Sequence, residues 1–343
     1  MGKLFFAGLF GLVMLCGCAK PPTPRVFWPP PPAQPRVEFI GAYRGEADLE
    51  KNDLKMMVLG AGGRRLNQPA YVCSDGEGLV YISETVVGRI TLVDLNTGKL
   101  TSFAEGSVGQ PRGLALDARG RLFVADQRSR QILVFTKEGQ PLFHIGGPED
   151  FVRPYDIAIN EGLQRLYVTD DEGHKVVIFD LEGNLVGSFG ERGYEEGKFN
   201  RPTGVAVDGD NRVFVADHRN ARIEVFDAEG TFLYAFGTRG AQYTNFEAPK
   251  GLAFDSEGNL WITDFRKGLL FTYSPEGRML LFTGTKGEAK GSPFGFNSPQ
   301  GLFIDAHDRI YVVDYLYQRL SIWQYLSADY LEKHPIPSPK SDK

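Results

Sequence analysis

Carboxylates are the residues here whose type and spacing most suggest chemistry. Counted from a recurring proline (Pro69, Pro111, Pro154, Pro202, Pro249 and Pro299), the sixth residue onward is Asp75, Asp117, Asn160, Asp208, Asp255 and Asp305. The fifteenth is Glu84, Asp126, Asp217, Asp264 and Asp314, with Asp170 at the sixteenth in the third copy. Positioned carboxylates can act as general acids and bases. A carboxylate repeated at the same place in every copy, however, points to a scaffold role such as capping the following turn. The basic residues five further on (Arg89, Lys175, Arg222 and Arg319) read as ion-pair partners, a pattern that Gln131 breaks.

Other reactive groups are sparse. The chain has 5 His and 3 Cys. His174 and His218 could contribute to a zinc site if Asp171 or Glu172 supplied a further ligand. Asp156, Asp170, Asp171 and Glu172 form a local acidic group that reads either as a divalent-cation site or as a solvated acidic loop. There is no Gly-x-Ser-x-Gly, no phosphate-cradling loop and no Cys-x-x-Cys-His haem attachment motif.

The elements that must hold these residues follow from the repeat. Successive prolines lie 42, 43, 48, 47 and 50 residues apart. Each interval holds four short apolar runs, such as Gly113-Leu-Ala-Leu-Asp117, Leu122-Phe-Val-Ala-Asp126 and Ile132-Leu-Val-Phe135. Four strands per repeat, six times over, is the period of a β-propeller. The pattern of proline, Gly, Leu/Val-Ala-x-Asp, a second strand ending in Asp, then Arg/Lys-Ile/Val-x-Val-Phe resembles the NHL repeat over about residues 66–326. That resemblance implies an all-β, six-bladed propeller. Two copies depart from it at the glycine, which is Tyr71 in the first and Asp156 in the third. The sixth copy lacks a fourth strand, and Val37-Glu-Phe-Ile-Gly-Ala-Tyr43 has the pattern to supply it, closing the ring and removing an exposed edge. Residues 46–59 are helix-compatible, and residues 327–333 read as a short helix capped by Ser327 before a Pro/Ser/Lys tail.

Antiparallel alternation sends the proline loops and the loops after Asp126, Asp170 and their equivalents to one face. The long connections 191–201, 238–248 and 285–298 emerge there too, whereas the opposite face has only tight turns. Function more often sits on long loops over a rigid scaffold. Side chains just after each proline should point into the central opening: Ala70, Arg112, Tyr155, Thr203, Lys250 and Gln300. The peptide-amidating lyases, a related propeller family, carry metal-binding His at such positions. None of the six is His, and no match to the Glu plus Asn/Asp metal set of gluconolactonase-like propellers is seen. Candidate partner-binding residues are therefore Arg112, Tyr155, Thr203, Lys250 and Gln300, with Arg128, His218, Arg266 and Tyr315 on the same face. Arg112 and Lys250 are expected to be exposed. No metal, cofactor or catalytic residue is assigned.

At the N-terminus, Lys3, an apolar run over residues 4–15 and then Leu15-Cys16-Gly17-Cys18 have the layout of a secretory signal. They resemble a bacterial lipobox, which implies lipidation at Cys18. Residues 21–35 hold eight prolines and favour an extended spacer without a core. The expected organisation is a signal over 1–17, lipidated Cys18 with a Pro-rich linker over 18–35, the propeller over 36–326, and a helix and tail over 327–343. With 38 basic and 43 acidic residues and a net charge of −5, the chain has no basic tract for nucleic acid. The expectation is a non-catalytic envelope lipoprotein facing the periplasm, on the outer rather than the inner membrane, that binds a protein or peptide through its loop face. Cytochrome-containing complexes are one class of partner that the resemblance suggests. A metal-dependent lyase or lactonase-like enzyme is the alternative.

Overall fold

The computed structural model describes residues 25–30, 32–49, 63–286 and 292–336. Cys18, the tail 337–343 and most of the helix-compatible segment 46–59 lie outside them; of the last, only Glu46–Leu49 is described, as one helical turn. The chain forms a six-bladed β-propeller. Blades one to five are four-stranded antiparallel sheets in sequential order. Their inner strands are Tyr71–Ser74, Pro111–Leu116, Pro154–Asn160, Pro202–Val207 and Pro249–Phe254, and Pro299–Ile304 is that of blade six.

Blade six is closed from the N-terminus. Val37–Tyr43 pairs antiparallel with Arg319–Tyr325, with Val37 opposite Tyr325 and Tyr43 opposite Leu320. A fifth strand then adds outside it: Val26–Trp28 pairs with Val37–Phe39. This corrects the expectation of a featureless spacer through residue 35. Trp28 donates its indole N–H to the Phe282 carbonyl at 2.9 Å and packs against Phe294, while Arg25 forms a bidentate pair with Glu38. Residues 25–28 are thus strapped across blades five and six. Helix Ala328–Lys333 follows, with the Ser327 hydroxyl capping its first turn.

The repeated carboxylates are structural, as their repetition implies. Asp126 is 1% exposed and accepts from four backbone N–H groups: Gly109 and Gln110 before the proline, Arg128 and Ser129 in the turn after it. Asp264 does the same with Glu247, Ala248, Arg266 and Lys267. Each carboxylate therefore ties the loop entering a blade to the turn between its second and third strands. The tightness of that turn shows in its backbone. The residue four after the carboxylate has φ between 51° and 67° in all six blades, from Arg130 and His174 to Gly268 and Gln318. The Asp117 class caps the opposite turns, Asp117 accepting from the N–H groups of Arg119 and Arg121. Arg89 pairs with Glu84 and Arg222 with Asp217, as expected of scaffold ion pairs.

The glycine two after the proline has a steric cause. A Cβ on Gly204 would sit 2.0 Å from the Lys250 carbonyl, and one on Gly301 2.5 Å from the Cα of Tyr71. Inner strands approach one another too closely there for side chains, and the Gly301 N–H donates to the Ala70 carbonyl across the closing seam at 2.9 Å. Between blades, the residue three before the proline is a buried anchor: Leu66, Phe151, Phe199, Phe246 and Phe296. The glycines at the ends of the outer strands make room for it. A Cβ on Gly190 would lie 2.3 Å from Phe199, and one on Gly237 2.4 Å from Phe246.

Candidate functional site

Because all six inner strands start on the loop face, the residues after their prolines meet at one level of the channel. Ala70 is fully buried. The Tyr155 hydroxyl accepts from Arg112 and, at 2.9 Å, from the Lys250 ammonium. The Gln300 side-chain carbonyl accepts from the same two cations, each at 3.2 Å. The Thr203 hydroxyl is turned to the backbone, 3.3 Å from the Pro249 carbonyl. The Arg112 guanidinium also lies over the Tyr155 ring at 4.4 Å, and Tyr155 meets Tyr71 edge-on. Four blades are cross-linked through this polar layer.

The layer is less accessible than a place at the channel mouth implies. Lys250 is only 8% exposed and Gln300 3%, and Arg112 is half-buried. Burial pulls the Lys250 pKa down. Burial alone would raise Tyr155, but Arg112 and Lys250 together outweigh it and hold the phenol below its ordinary value. Arg112 and Lys250 therefore form a partly buried cluster, which corrects the expectation of a freely exposed pair.

On the loop-face side of this layer lies a pocket of about 170 Å³. Besides Arg112, Tyr155, Thr203 and Lys250, its wall includes Arg153, Arg201, Arg219, Asp171 and His218. Asp171 is 3% exposed and held by Arg153, whose Nε donates at 2.6 Å. Glu172 lies 3.0 Å from Arg153 and 3.3 Å from Arg201. His218 places Nδ1 3.1 Å from the Pro249 carbonyl, which can only accept, so that nitrogen carries the proton. Burial first, then the neighbouring Lys250, pushes its pKa down to about 3 and keeps the ring neutral.

On the other side lies a cavity of about 330 Å³ walled by the inner strands. Tyr71 and Asp156, the two departures from the repeat glycine, line it. Asp156 is 6% exposed, and burial raises its pKa to about 8. The Tyr71 hydroxyl is buried without a hydrogen-bond partner among the described residues. In the sequence both stood out as broken glycines, and Asp156 also as part of an acidic group, but neither as a channel group.

The acidic group read around Asp156 does not share a site. Asp156 lies in the channel, Asp170 accepts from the N–H groups of Val152 and Arg153, and Asp171 and Glu172 pair with arginines. His174 sits in a turn, its Nδ1 accepting from the Arg201 N–H at 3.2 Å, and is not part of the pocket wall with His218. Among the described residues, no three His, Cys, Asp or Glu side chains are grouped to hold a metal. Of the remaining expected contact residues, Arg128 and Arg266 are exposed and Tyr315 half-buried, all in loop-face turns outside the pocket wall.

Comparison with known proteins agrees with this architecture. A family model described as a 6-bladed beta-propeller matches residues 108–189, and the NHL repeat model matches residues 199–226. The chain is a six-bladed β-propeller, with the NHL repeat match falling in its fourth blade. Protein brain tumor of Drosophila melanogaster is 30% identical over 109 residues, which is 30% of this chain but only 10% of that protein. A streptogramin B lyase structure superposes with a TM-score of 0.57 at 14% identity, covering 76% of this chain and 94% of the lyase. A component of a nidogen/laminin complex superposes with a TM-score of 0.54 at 18% identity, covering 69% of this protein and 85% of that component. At these identities the structural likeness is one of fold, shared by an enzyme and by a protein in a protein–protein complex.

Proposed function

We propose that the protein is a non-catalytic binding module, anchored to the bacterial envelope by a lipid on Cys18, that captures a protein or peptide partner on its loop face. The observation that carries this reading is the distribution of exposed apolar side chains. Val86, Val87, Val152, Tyr194, Tyr243 and Leu316 all stand in loop-face connections, with Tyr194 at 76% and Tyr243 at 67% exposure. Among the described residues the turn face offers only Leu163; the others lie on outer strands. Apolar and aromatic groups around an Arg-rich centre are the composition of protein-recognition surfaces.

Two experiments test the proposal. Mass spectrometry of the mature protein should find a lipidated Cys18 at the N-terminus; an unmodified protein beginning elsewhere removes the anchor. In pull-downs from envelope extracts, a Tyr194→Ser, Tyr243→Ser double variant should lose a partner that the Leu163→Ser variant retains. The reverse result places recognition on the other face.

The neutral imidazole of His218 beside the pocket supports a second reading, a lyase-type enzyme using it as base. Turnover of a lactone or lyase substrate that His218→Ala abolishes would establish that reading instead.

A further inference from the structure

We propose that the pocket at the loop-face mouth of the channel is a socket for a carboxylate, which enters it and pairs with Arg112 and Lys250. In the partner this group is an Asp or Glu side chain or the carboxylate of a free C-terminus. The inference deepens the loop-face reading, and only the identity of the carrier rests on that reading.

Two cations stand side by side here with no negative partner in contact among the described residues. The acceptors they share, the Tyr155 hydroxyl and the Gln300 side-chain carbonyl, are a phenol and an amide. Arg112 Nε is buried and has no acceptor among the described residues. The nearby carboxylates are committed elsewhere: Asp171 to Arg153, and Glu172 to Arg153 and Arg201. Asp156 belongs to the cavity beyond the layer. Cations taken out of water without a counter-charge are costly to a fold, and perturbed charged groups in a cleft mark candidate functional sites.

Charge and size then select the ligand. Five basic side chains and one acidic one line the wall, and the acid is already paired with Arg153, so the wall is complementary to negative charge. A volume of 170 Å³ holds roughly five waters at about 30 Å³ each. That suits a carboxylate on a short stem, and falls below the roughly 300 Å³ at which pockets for drug-sized ligands begin. The planar fork of Arg112 matches a planar carboxylate.

The test is calorimetric titration of the full-length protein with glutarate, with an acetylated, amidated tetrapeptide bearing one Glu, with a Glu-free tetrapeptide bearing a free C-terminus, and with inorganic phosphate. At least one carboxylate probe should bind saturably and more tightly than phosphate, and the two peptides tell a side chain from a terminus. Lys250→Met should weaken that binding at least tenfold, a loss of about 1.4 kcal/mol, without lowering the melting temperature. Gln300→Glu is the second variant, placing a counter-charge inside the socket: it should raise the melting temperature and abolish binding. The proposal is overturned if no carboxylate probe saturates, if phosphate binds more tightly, or if Gln300→Glu binds the probes like the unaltered protein. Probe binding that persists while the Tyr194, Tyr243 variant keeps its partner would remove the loop-face reading and leave the socket. Partner capture without probe binding would do the opposite.

Discussion

At the scale of single residues, the informative positions are those where the repeat breaks. Four blades keep the glycine that lets inner strands approach, while Tyr71 and Asp156 put polar side chains into the channel in the other two. The Asp156 carboxyl has a folded-state pKa of about 8 against roughly 3.9 in an unfolded chain. Between those values the folded state keeps a proton that the unfolded state has released, so this residue makes stability fall as pH rises from about 4 to 8. Asp156→Asn removes that dependence. The variant should melt level with the unaltered protein near pH 4 and several degrees above it at pH 8, as thermal denaturation across that range will show. The fate of the other carboxylates was legible, because one residue in one place in every blade can have only one role. The cross-linked layer was not. Its members lie 188 residues apart for Arg112 and Gln300, and their burial depends on how narrowly six strands converge, which no local pattern encodes.

At the scale of elements, the closing strand was legible because blade six plainly lacked a fourth run and Val37–Tyr43 carried the matching pattern. The added strand Val26–Trp28 was hidden by its prolines, which argue against a strand except at an edge, and an edge is where it lies. Deleting residues 36–43 exposes the backbone groups of Arg319–Tyr325, which Val37–Tyr43 covers. It also frees the strap held by Trp28 and Arg25. The deletion should lower the melting temperature strongly and promote aggregation through the open edge; light scattering during thermal denaturation reads both. A truncated protein that melts like the complete one would mean that the ring closes in another way. The phenylalanine anchors three before four of the prolines were likewise unread, because the loops around them vary in length while the spacing to the proline does not.

At the scale of the whole molecule, the fold separates two tasks. Carboxylates, glycines and aromatic anchors repeat in blade after blade and hold the ring. The groups that could recognise a ligand do not repeat: one Tyr, one Lys, one Gln and one Arg at equivalent positions give an asymmetric mouth on a near-symmetric body. The same architecture fixes the order in which the molecule can be made. Val37 is synthesised well before Tyr325, with all of blades one to five between them, yet they are partners in one sheet. Blades one to five contain only local pairings and can form as their residues appear, whereas contacts between distant parts of a polypeptide come slowly. Val37–Tyr43 must therefore wait for Arg319–Tyr325, with only Val26–Trp28 beside it, until the blades between them have been made. A polypeptide interrupted anywhere before residue 319 leaves that strand without Arg319–Tyr325, so the sheet that seals the ring also registers that all six blades have been made.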